Sequence, residues 1–114
     1  MKTQLTIIGT NHGKGTSRIW LEGKRLVEAG FEVGTRYDRY ATFSSSSRSG
    51  IQLTANPKGK YKVSGKGDKP IIDISGGAVT ETFAEHISAC SKKTPVVEVK
   101  YSKGEILITE AGCR

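Results

Sequence analysis

The sequence has little cysteine, little histidine and no long apolar run, and each shortage excludes a class of function. Cys90 and Cys113 are too few for a disulfide framework or a cysteine metal site, so we expect reduced thiols. His12 and His86 have no Asp or Cys cluster at ligand spacing, so we expect two surface polar residues and no metal. No run approaches the ~20 apolar residues of a membrane span, and no secretory signal is visible. We therefore expect a cytoplasmic protein without a cofactor.

Acidic residues are also scarce, because 18 Lys and Arg stand against 11 Asp and Glu, giving a net charge of +7. Residues 1–55 hold eight basic against four acidic residues, and residues 56–70 hold five against one. Residues 71–114 hold five against six. A basic surface confined to the first half and the middle favours a polyanionic partner, nucleic acid first. The alternative is a solvated surface that only keeps the protein soluble.

A glycine-rich loop near the start, "IIGTNHGKGTS" at 7–17, has the outline of a phosphate-binding P-loop. A P-loop needs four residues between its glycines, then Lys and Ser or Thr, and it must open a helix. Only three residues separate Gly9 from Gly13, and Lys14 is followed by Gly15. The next residues alternate as a strand. We therefore expect no nucleotide hydrolysis, and we keep Lys14 as a backbone-phosphate contact.

Apolar alternation predicts a mostly β chain of the α+β class. Strands are expected at 5–8, 17–21, 36–43, 50–54, 71–74, 95–101 and 105–109, and short helices at 22–29 and 77–86. In the strand at 17–21, Ile19 and Leu21 should face the core, whereas Arg18 and Trp20 should share the opposite face. Gly30 stands where a left-handed helix C-cap is needed.

The two halves of the chain repeat one pattern. Setting "RIWLEGKRLVEAGF" (18–31) above "IIDISGGAVTETF" (71–83) matches Ile19 with Ile72, Leu21 with Ile74, Gly23 with Gly76, Leu26 with Val79, Glu28 with Glu81 and, after one deletion, Phe31 with Phe83. Downstream, "GIQLT" matches "GEILIT". Each β-α-β-β half is too small to bury its own apolar face, whereas two halves about a pseudo-two-fold axis can share a core.

This repeat divides the chain into a first unit (1–55), a middle segment (56–70) and a second unit (71–114). The middle segment, which reads "NPKGKYKVSGKGDK" over 56–69, is rich in glycine and lysine. It is either a mobile linker or an extended basic hairpin around Tyr61 and Val63.

The run L-x-G-x-x-L-x-x-AGF-x-x-G at 21–34, followed by "GIQLT", resembles the swapped-hairpin units of the AbrB/MazE/SymE-like family. The resemblance implies a small barrel-like domain in which two units form a pseudo-dimer, and it implies DNA binding. "RIWLEGKRLVEAGFEVGTRY" and "PIIDIS…F…VVEVKYSKGEILIT" also resemble the non-catalytic N-terminal region of some phage- and plasmid-borne DNA cytosine methyltransferases. Ala89 and Gly112 precede the two cysteines, so the Pro-Cys nucleophile of those enzymes is missing. That second resemblance implies a mobile-element origin and a DNA-centred setting, without methylation.

Basic and aromatic residues of the first unit and the middle segment are the expected nucleic-acid contacts. They are Lys14, Arg18, Trp20, Lys24, Arg25, Arg36, Arg39, Lys58, Lys60, Tyr61, Lys62, Lys66 and Lys69. Arginine pairs with phosphate through two parallel hydrogen bonds, and an exposed aromatic ring stacks on bases. For Trp20, packing against the other half of the protein stays open.

We expect a non-enzymatic DNA-binding protein of a phage or other mobile element, acting in the cytoplasm of a bacterial host. One alternative is an anti-defence protein, anti-CRISPR or anti-restriction, that binds a host nuclease complex. A second alternative is a SymE-like RNA-cleaving toxin using His12 beside Lys14 and Arg18. The expected partners are nucleic acid, DNA before RNA, and in the first alternative a host defence nuclease complex. No membrane partner is expected, and a homodimer is left open.

Overall fold

The computed structural model describes residues 2–11, 16–43 and 49–114, so His12 and Lys14 of the glycine-rich loop lie outside the described residues. The strands are β1 (Lys2–Ile7), β2 (Gly9–Asn11), β3 (Thr16–Glu22), β4 (Arg36–Phe43), β5 (Ser49–Ala55), β6 (Tyr61–Lys62), β7 (Ser64–Lys66), β8 (Lys69–Ser75), β9 (Pro95–Ser102) and β10 (Glu105–Cys113). The helices are α1 (Lys24–Glu28), α2 (Gly77–Thr82) and α3 (Ala84–Cys90).

The strands form two antiparallel sheets. The larger sheet has the order β1-β9-β10-β5-β4-β6, and the smaller has the order β2-β3-β8-β7. The mostly β character predicted from the sequence is confirmed. Both strand orders are open at their ends, so the residues that the structure describes form no closed barrel.

One hydrophobic cluster joins the two sheets, because each sheet turns its apolar alternate residues to the same side. Ile19 and Leu21 of β3 are fully buried, as the alternation predicts, and Arg18 and Trp20 lie on the opposite face. Burying an Ile or Leu side chain contributes about 1.5–3 kcal/mol relative to leaving it exposed. The short helices are therefore held mainly by the core, to which α1 contributes Leu26.

The helix ends follow their local sequence. Gly30 has φ 87°, its N–H donates to Val27 O, and the N–H of Phe31 donates to Leu26 O. This is the Schellman pattern that a glycine after the helix permits, so the predicted C-cap is confirmed. The single helix expected over 77–86 is two helices, α2 and α3, that meet at the buried Phe83 with φ −107°. No helix in these residue ranges has the length and apolar character needed to cross a bilayer.

Residues 56–70 are part of the folded core and contain β6, β7 and the start of β8. Val63, between β6 and β7, is buried. Its N–H donates to Thr35 O and its carbonyl accepts from Gly34 N, each over 2.9 Å. β7 and β8 pair as a hairpin in which Lys66 faces Lys69.

Two predictions about single side chains are wrong. Cys90 and Cys113 are joined by a disulfide, with their Cα atoms 5.5 Å apart, rather than being reduced thiols. His86 is buried at 9% exposure, and its Nε2 lies 2.9 Å from the Val96 carbonyl oxygen, rather than being a surface residue. Both errors have one cause: α3 packs against β9 and β10, which brings together residues that are far apart in the sequence.

Candidate nucleic-acid interface

Six of the predicted contact residues lie along the edge of the larger sheet where β4 pairs with β6, on both faces of that edge. We call them the β4–β6 cluster: Arg36, Arg39, Lys58, Lys60, Tyr61 and Lys62. In the strand register, Arg36 lies opposite Lys62 and Tyr37 lies opposite Tyr61. The antiparallel pairing therefore assembles residues that are about 20 or more positions apart in the chain.

Two stacked tyrosines support an arginine in this cluster. The ring centroids of Tyr37 and Tyr61 are 5.8 Å apart at an interplanar angle of 29°. Arg39 Cζ lies 3.9 Å from the Tyr61 centroid, and Arg39 Nη2 donates to Tyr37 Oη over 3.4 Å. A guanidinium on an aromatic face gains about 0.5–1 kcal/mol at an exposed site. Tyr61 was expected to stack on a base; here its ring contacts Arg39.

Arg39 is not placed by hydrogen bonds alone. Its Nε is buried, and no atom of residues 2–11, 16–43 or 49–114 accepts a hydrogen bond from it. A buried N–H donor without an acceptor costs about 1–3 kcal/mol of folding free energy, so Arg39 does not improve stability at this position. Such a group calls for an explanation other than packing, and a functional role is one.

Arg36 and Lys62 are two positive charges directly opposite each other on neighbouring strands. Like charges in that position destabilise a strand pair. Arg36 Nη1 donates to Gly59 O over 3.1 Å, which is a bond to a neutral group. This bond does not neutralise the positive charge of the pair.

Asp38, a carboxylate beside the cluster, is already engaged. Asp38 Oδ2 accepts from Asn56 Nδ2 over 2.7 Å, and Oδ1 accepts from the Lys60 N–H over 3.2 Å. These two bonds, the Asn56 bond first, hold the pKa of Asp38 below its ordinary value. Asp38 thus fixes the loop that carries Lys58 and Lys60, instead of neutralising a cation.

The ion pairs found among the described residues lie elsewhere. They join Arg18 Nε to Asp73 Oδ1 over 3.1 Å and Lys100 Nζ to Glu98 Oε1 over 3.5 Å. Neither pair includes a member of the β4–β6 cluster. The cluster therefore presents five cations without a carboxylate partner in the described part of the chain.

Arg18 and Trp20 are together, but apart from this cluster. They lie on the outer face of the smaller sheet, where Arg18 Cζ is 4.3 Å from the Trp20 ring centroid. Trp20 is 38% exposed, so it is neither packed into the core nor fully free. The charge of Arg18 is compensated by Asp73, which makes this pair a weaker phosphate site than the cluster.

The remaining predicted contacts are dispersed. Lys24 and Lys69 line an open groove of about 740 Å³ that also holds Glu22, Glu28 and Asp68, so its charge is mixed. Lys66 is exposed on β7, and Arg25 is exposed on α1, where its charge acts on Tyr101.

Two residues that position the cluster, Asn56 and Gly59, were not predicted from the sequence. A Cβ at Gly59 would come within 2.6 Å of the Tyr37 backbone, so only glycine lets the loop lie against β4. The Asn56 side chain also accepts from the Lys58 N–H over 3.0 Å. The "NPKG" run at 56–59 is a recognisable turn signal, whereas the bond to Asp38 spans 18 positions and leaves no local trace.

Comparison with protein-family models, with curated proteins and with solved structures finds no match to this chain. Among the described residues, no group of three or more His, Cys, Asp or Glu side chains is arranged to hold a metal ion. The function is therefore inferred from the geometry of the cluster.

Proposed function

We propose that this protein is a non-enzymatic DNA-binding protein and that the β4–β6 cluster contacts the phosphate backbone. The observation that carries the proposal is the presence of five cations along one sheet edge, none of which forms an ion pair with a carboxylate of the described residues. A polyanion relieves the repulsion between Arg36 and Lys62 and releases its own counterions on binding. Binding is therefore favourable for a physical reason that does not depend on base sequence.

Within the cluster the cations have different tasks. Arg39 presents a guanidinium whose orientation is held by Tyr61; because its Nε is buried and its Nη2 donates to Tyr37, it suits a single charge-assisted bond to a phosphate. The lysines act as point charges that position the duplex without reading its sequence. If all five cations contact phosphates, the logarithm of affinity should fall with the logarithm of salt with a slope of about −4 to −5.

We also propose that the chain is a pseudo-dimer of two related units, as the repeat predicts. Gly23, at the start of α1, and Gly76, at the start of α2, have similar conformations, with φ 93° and 77° and ψ −158° and −146°. The Gly23 N–H donates to Pro70 O and the Gly76 N–H donates to Ser17 O, which is the same bond under the repeat alignment. These bonds support a duplication.

The strand pairs give further support to the duplication. β3 and β8 pair around Trp20 and Asp73, which occupy the same place in the two repeats. β5 and β10 pair around Gln52 and Leu107, which also correspond. Antiparallel pairing centred on matched positions is what a local two-fold axis produces. The AbrB/SymE-like resemblance and an origin in a phage or other mobile element remain part of this proposal.

The decisive experiment distinguishes the effect of the cluster on DNA affinity from the effect of net charge. The variant Lys58→Glu/Lys60→Glu/Lys62→Glu reverses three cluster charges, and Lys92→Glu/Lys93→Glu/Lys103→Glu makes the same change in net charge at exposed positions elsewhere. Binding to a fluorescent 20-base-pair duplex is measured by anisotropy across a salt series. We expect the cluster variant to lose at least about tenfold in affinity at low salt and about three units of salt slope.

The control variant should keep most of the affinity and the steep slope. Equal losses of DNA affinity in the two variants would show that only net charge matters and would overturn the assigned site. Absence of duplex binding by the unaltered protein at low salt would overturn the function itself.

A further inference from the structure

The disulfide between Cys90 and Cys113 has one buried half and one exposed half. Cys90 is the last residue of α3 and is 3% exposed. Cys113 is the last residue of β10 and belongs to a run, residues 111–114, that is exposed throughout. It also lies beyond the register shift that interrupts the pairing of β10 with β9 after Glu110. The two sulfur atoms of this bond are therefore unequally open to a molecule in solution.

An open hollow in the surface also leads to Cys113. It has a volume of about 470 Å³ and is lined by Cys113, Gly112 and His86, among others. Cys90 is not among the described residues that line it. A thiolate opens a disulfide by attacking one of its two sulfur atoms, and access decides which sulfur is attacked. We therefore expect an external thiolate to attack Cys113 Sγ and not Cys90 Sγ.

The helix on the buried side of the bond has few other attachments. α3 is seven residues long, and a helix of that length is not stable alone in water. Its buried residues are His86 and Cys90, and Ile87 is partly buried against the hydrophobic cluster that joins the two sheets. Cys90 is not a member of that cluster. Opening the disulfide therefore loosens α3 and leaves the core between the sheets in place.

We propose that Cys113 is a site of reversible thiolation by a low-molecular-weight thiol, with Cys90 as the leaving group. The sulfur of the small thiolate bonds to Cys113 Sγ and the Cys90–Cys113 bond breaks. The electron pair of that bond stays on Cys90 Sγ, which takes a proton from water. Protein disulfides with an exposed sulfur are the labile ones, and they include those with regulatory roles.

The modification at Cys113 has two ways to end. The Cys90 thiolate can attack Cys113 Sγ, which restores the protein disulfide and releases the small thiol. Alternatively, a second small thiolate attacks the sulfur of the first and leaves as a small-molecule disulfide. Both cysteines are then reduced, and two small thiols have been oxidised for each protein disulfide. Neither route involves the β4–β6 cluster, so the inference does not depend on DNA binding.

The first test maps the modified cysteine in the unaltered protein, with glutathione as the probe. The folded, disulfide-bonded chain is incubated with reduced glutathione, the reaction is stopped with iodoacetamide, and the peptides are identified by mass spectrometry. We expect glutathione on Cys113 and the alkyl group on Cys90. The glutathione adduct on Cys113 should exceed that on Cys90 at least about tenfold, because access selects the sulfur.

The second test uses a matched pair of variants, Cys90→Ser and Cys113→Ser, which each keep one thiol. The exposed Cys113 thiol of the first should react with oxidised glutathione at least about tenfold faster than the buried Cys90 thiol of the second. Circular dichroism shows whether both variants are folded. Amide NMR spectra of the thiolated, otherwise unaltered protein should change at residues 84–90 and 110–114 and stay unchanged at residues 36–43 and 58–62.

Several results would overturn the proposal. One is glutathione found mainly on Cys90 or equally on both cysteines. Another is a disulfide that exchanges only in urea that unfolds the protein, since the bond would then be purely structural. Equal reaction rates in two folded variants would contradict the shielding of Cys90. If either variant fails to fold, the peptide map of the unaltered protein decides alone. Loss of dispersed NMR signals along the whole chain would contradict a change confined to α3 and the end of β10.

Discussion

The two edges of the larger sheet have similar backbones and opposite side-chain chemistry. At one edge, β1 runs beside β9 and the Ile8 N–H donates to Pro95 O over 2.9 Å. At the other edge, β6 runs beside β4 and the Val63 N–H donates to Thr35 O over the same distance. The pair of facing residues next to these bonds is Ile7 and Val96 at the first edge, and Lys62 and Arg36 at the second.

This difference shows that the framework does not decide what each edge contacts. Side chains at matching backbone positions are apolar at one edge and cationic at the other, so the two edges suit different partners. An apolar, uncharged edge suits another protein strand, whereas an unpaired cationic edge suits a polyanion.

The largest effect on stability is expected from the disulfide near the apolar edge. Cys90–Cys113 closes a loop over a sequence separation of 23, and Cys113 pairs with Pro95 at the start of β9. Reduction should lower the free energy of unfolding by about 3 kcal/mol, because the unfolded chain regains loop entropy. Urea denaturation with and without dithiothreitol measures this change.

The variant Cys90→Ser/Cys113→Ser is the control for reductant and should not respond to it. DNA affinity should be unchanged by reduction, because the β4–β6 cluster lies at the other edge. An equal free energy of unfolding for the oxidised and the reduced protein would contradict a stabilising disulfide between α3 and β10.

The next effect concerns the bond that ties β1 to β9. Tyr101 Oη donates to Gln4 Oε1 over 2.7 Å, and burial is the main reason that the pKa of Tyr101 is raised to about 12. Gln4→Leu removes the acceptor and should lower the free energy of unfolding by about 1 kcal/mol. Urea denaturation at pH 7 measures this loss, and a variant as stable as the unaltered protein would rule out a role for the bond.

The same tyrosine predicts a loss of stability at alkaline pH. The unfolded chain releases the Tyr101 proton near pH 10, whereas the folded protein keeps it until about 12. The contribution of Tyr101 is therefore complete below pH 10 and is lost as the pH rises from 10 to about 12. Tyr101→Phe should flatten that part of the stability profile, and an unchanged profile would show that other groups cause the decline.

The cationic edge is tested by a substitution that keeps its charge. Arg39→Lys removes the planar group that lies on Tyr61, and we expect a twofold to fivefold loss of DNA affinity from about 0.5–1 kcal/mol. Arg36→Lys is the matched control, since Arg36 only donates a hydrogen bond to a carbonyl, which lysine can replace. Equal affinities for the two variants would show that charge alone matters.

The smallest effect is expected at Asp38, whose pKa is lowered first by Asn56 and then by the Lys60 N–H. Because the folded pKa lies below the unfolded value near 3.8, the contribution of Asp38 is present above that pH. It is lost as the pH falls through the lowered folded pKa. Asn56→Ala should return the pKa toward its ordinary value in a carbon-detected NMR titration of the carboxyl group. No movement of the pKa would contradict the role given to Asn56.

The sequence predicts the parts of this fold that depend on local order. The alternation at 17–21 correctly separates Ile19 and Leu21 from Arg18 and Trp20, and Gly30 correctly marks the end of α1. The disulfide and the buried His86 depend on how α3 meets the sheet, which no local pattern encodes. The single helix predicted over 77–86 fails because the buried Phe83 leaves helical geometry.

The candidate site could be predicted only as a set of residue types. The thirteen expected contacts included all six members of the β4–β6 cluster, but also residues that the fold places elsewhere. Register decides between them: only the pairing of β4 with β6 puts Arg36 opposite Lys62. The pairing of β3 with β8 likewise places Asp73 in an ion pair with Arg18, whereas no cluster cation has an ion pair among the described residues.

The central claim is that the cationic edge, and not the apolar edge, contacts nucleic acid. Amide NMR spectra of the labelled protein, titrated with a short DNA duplex, test it most directly. We predict shifts concentrated at Arg36, Arg39 and residues 58–62, with residues 3–7 unchanged. Shifts at residues 3–7 with none at residues 58–62, or no shifts at low salt, would contradict the account.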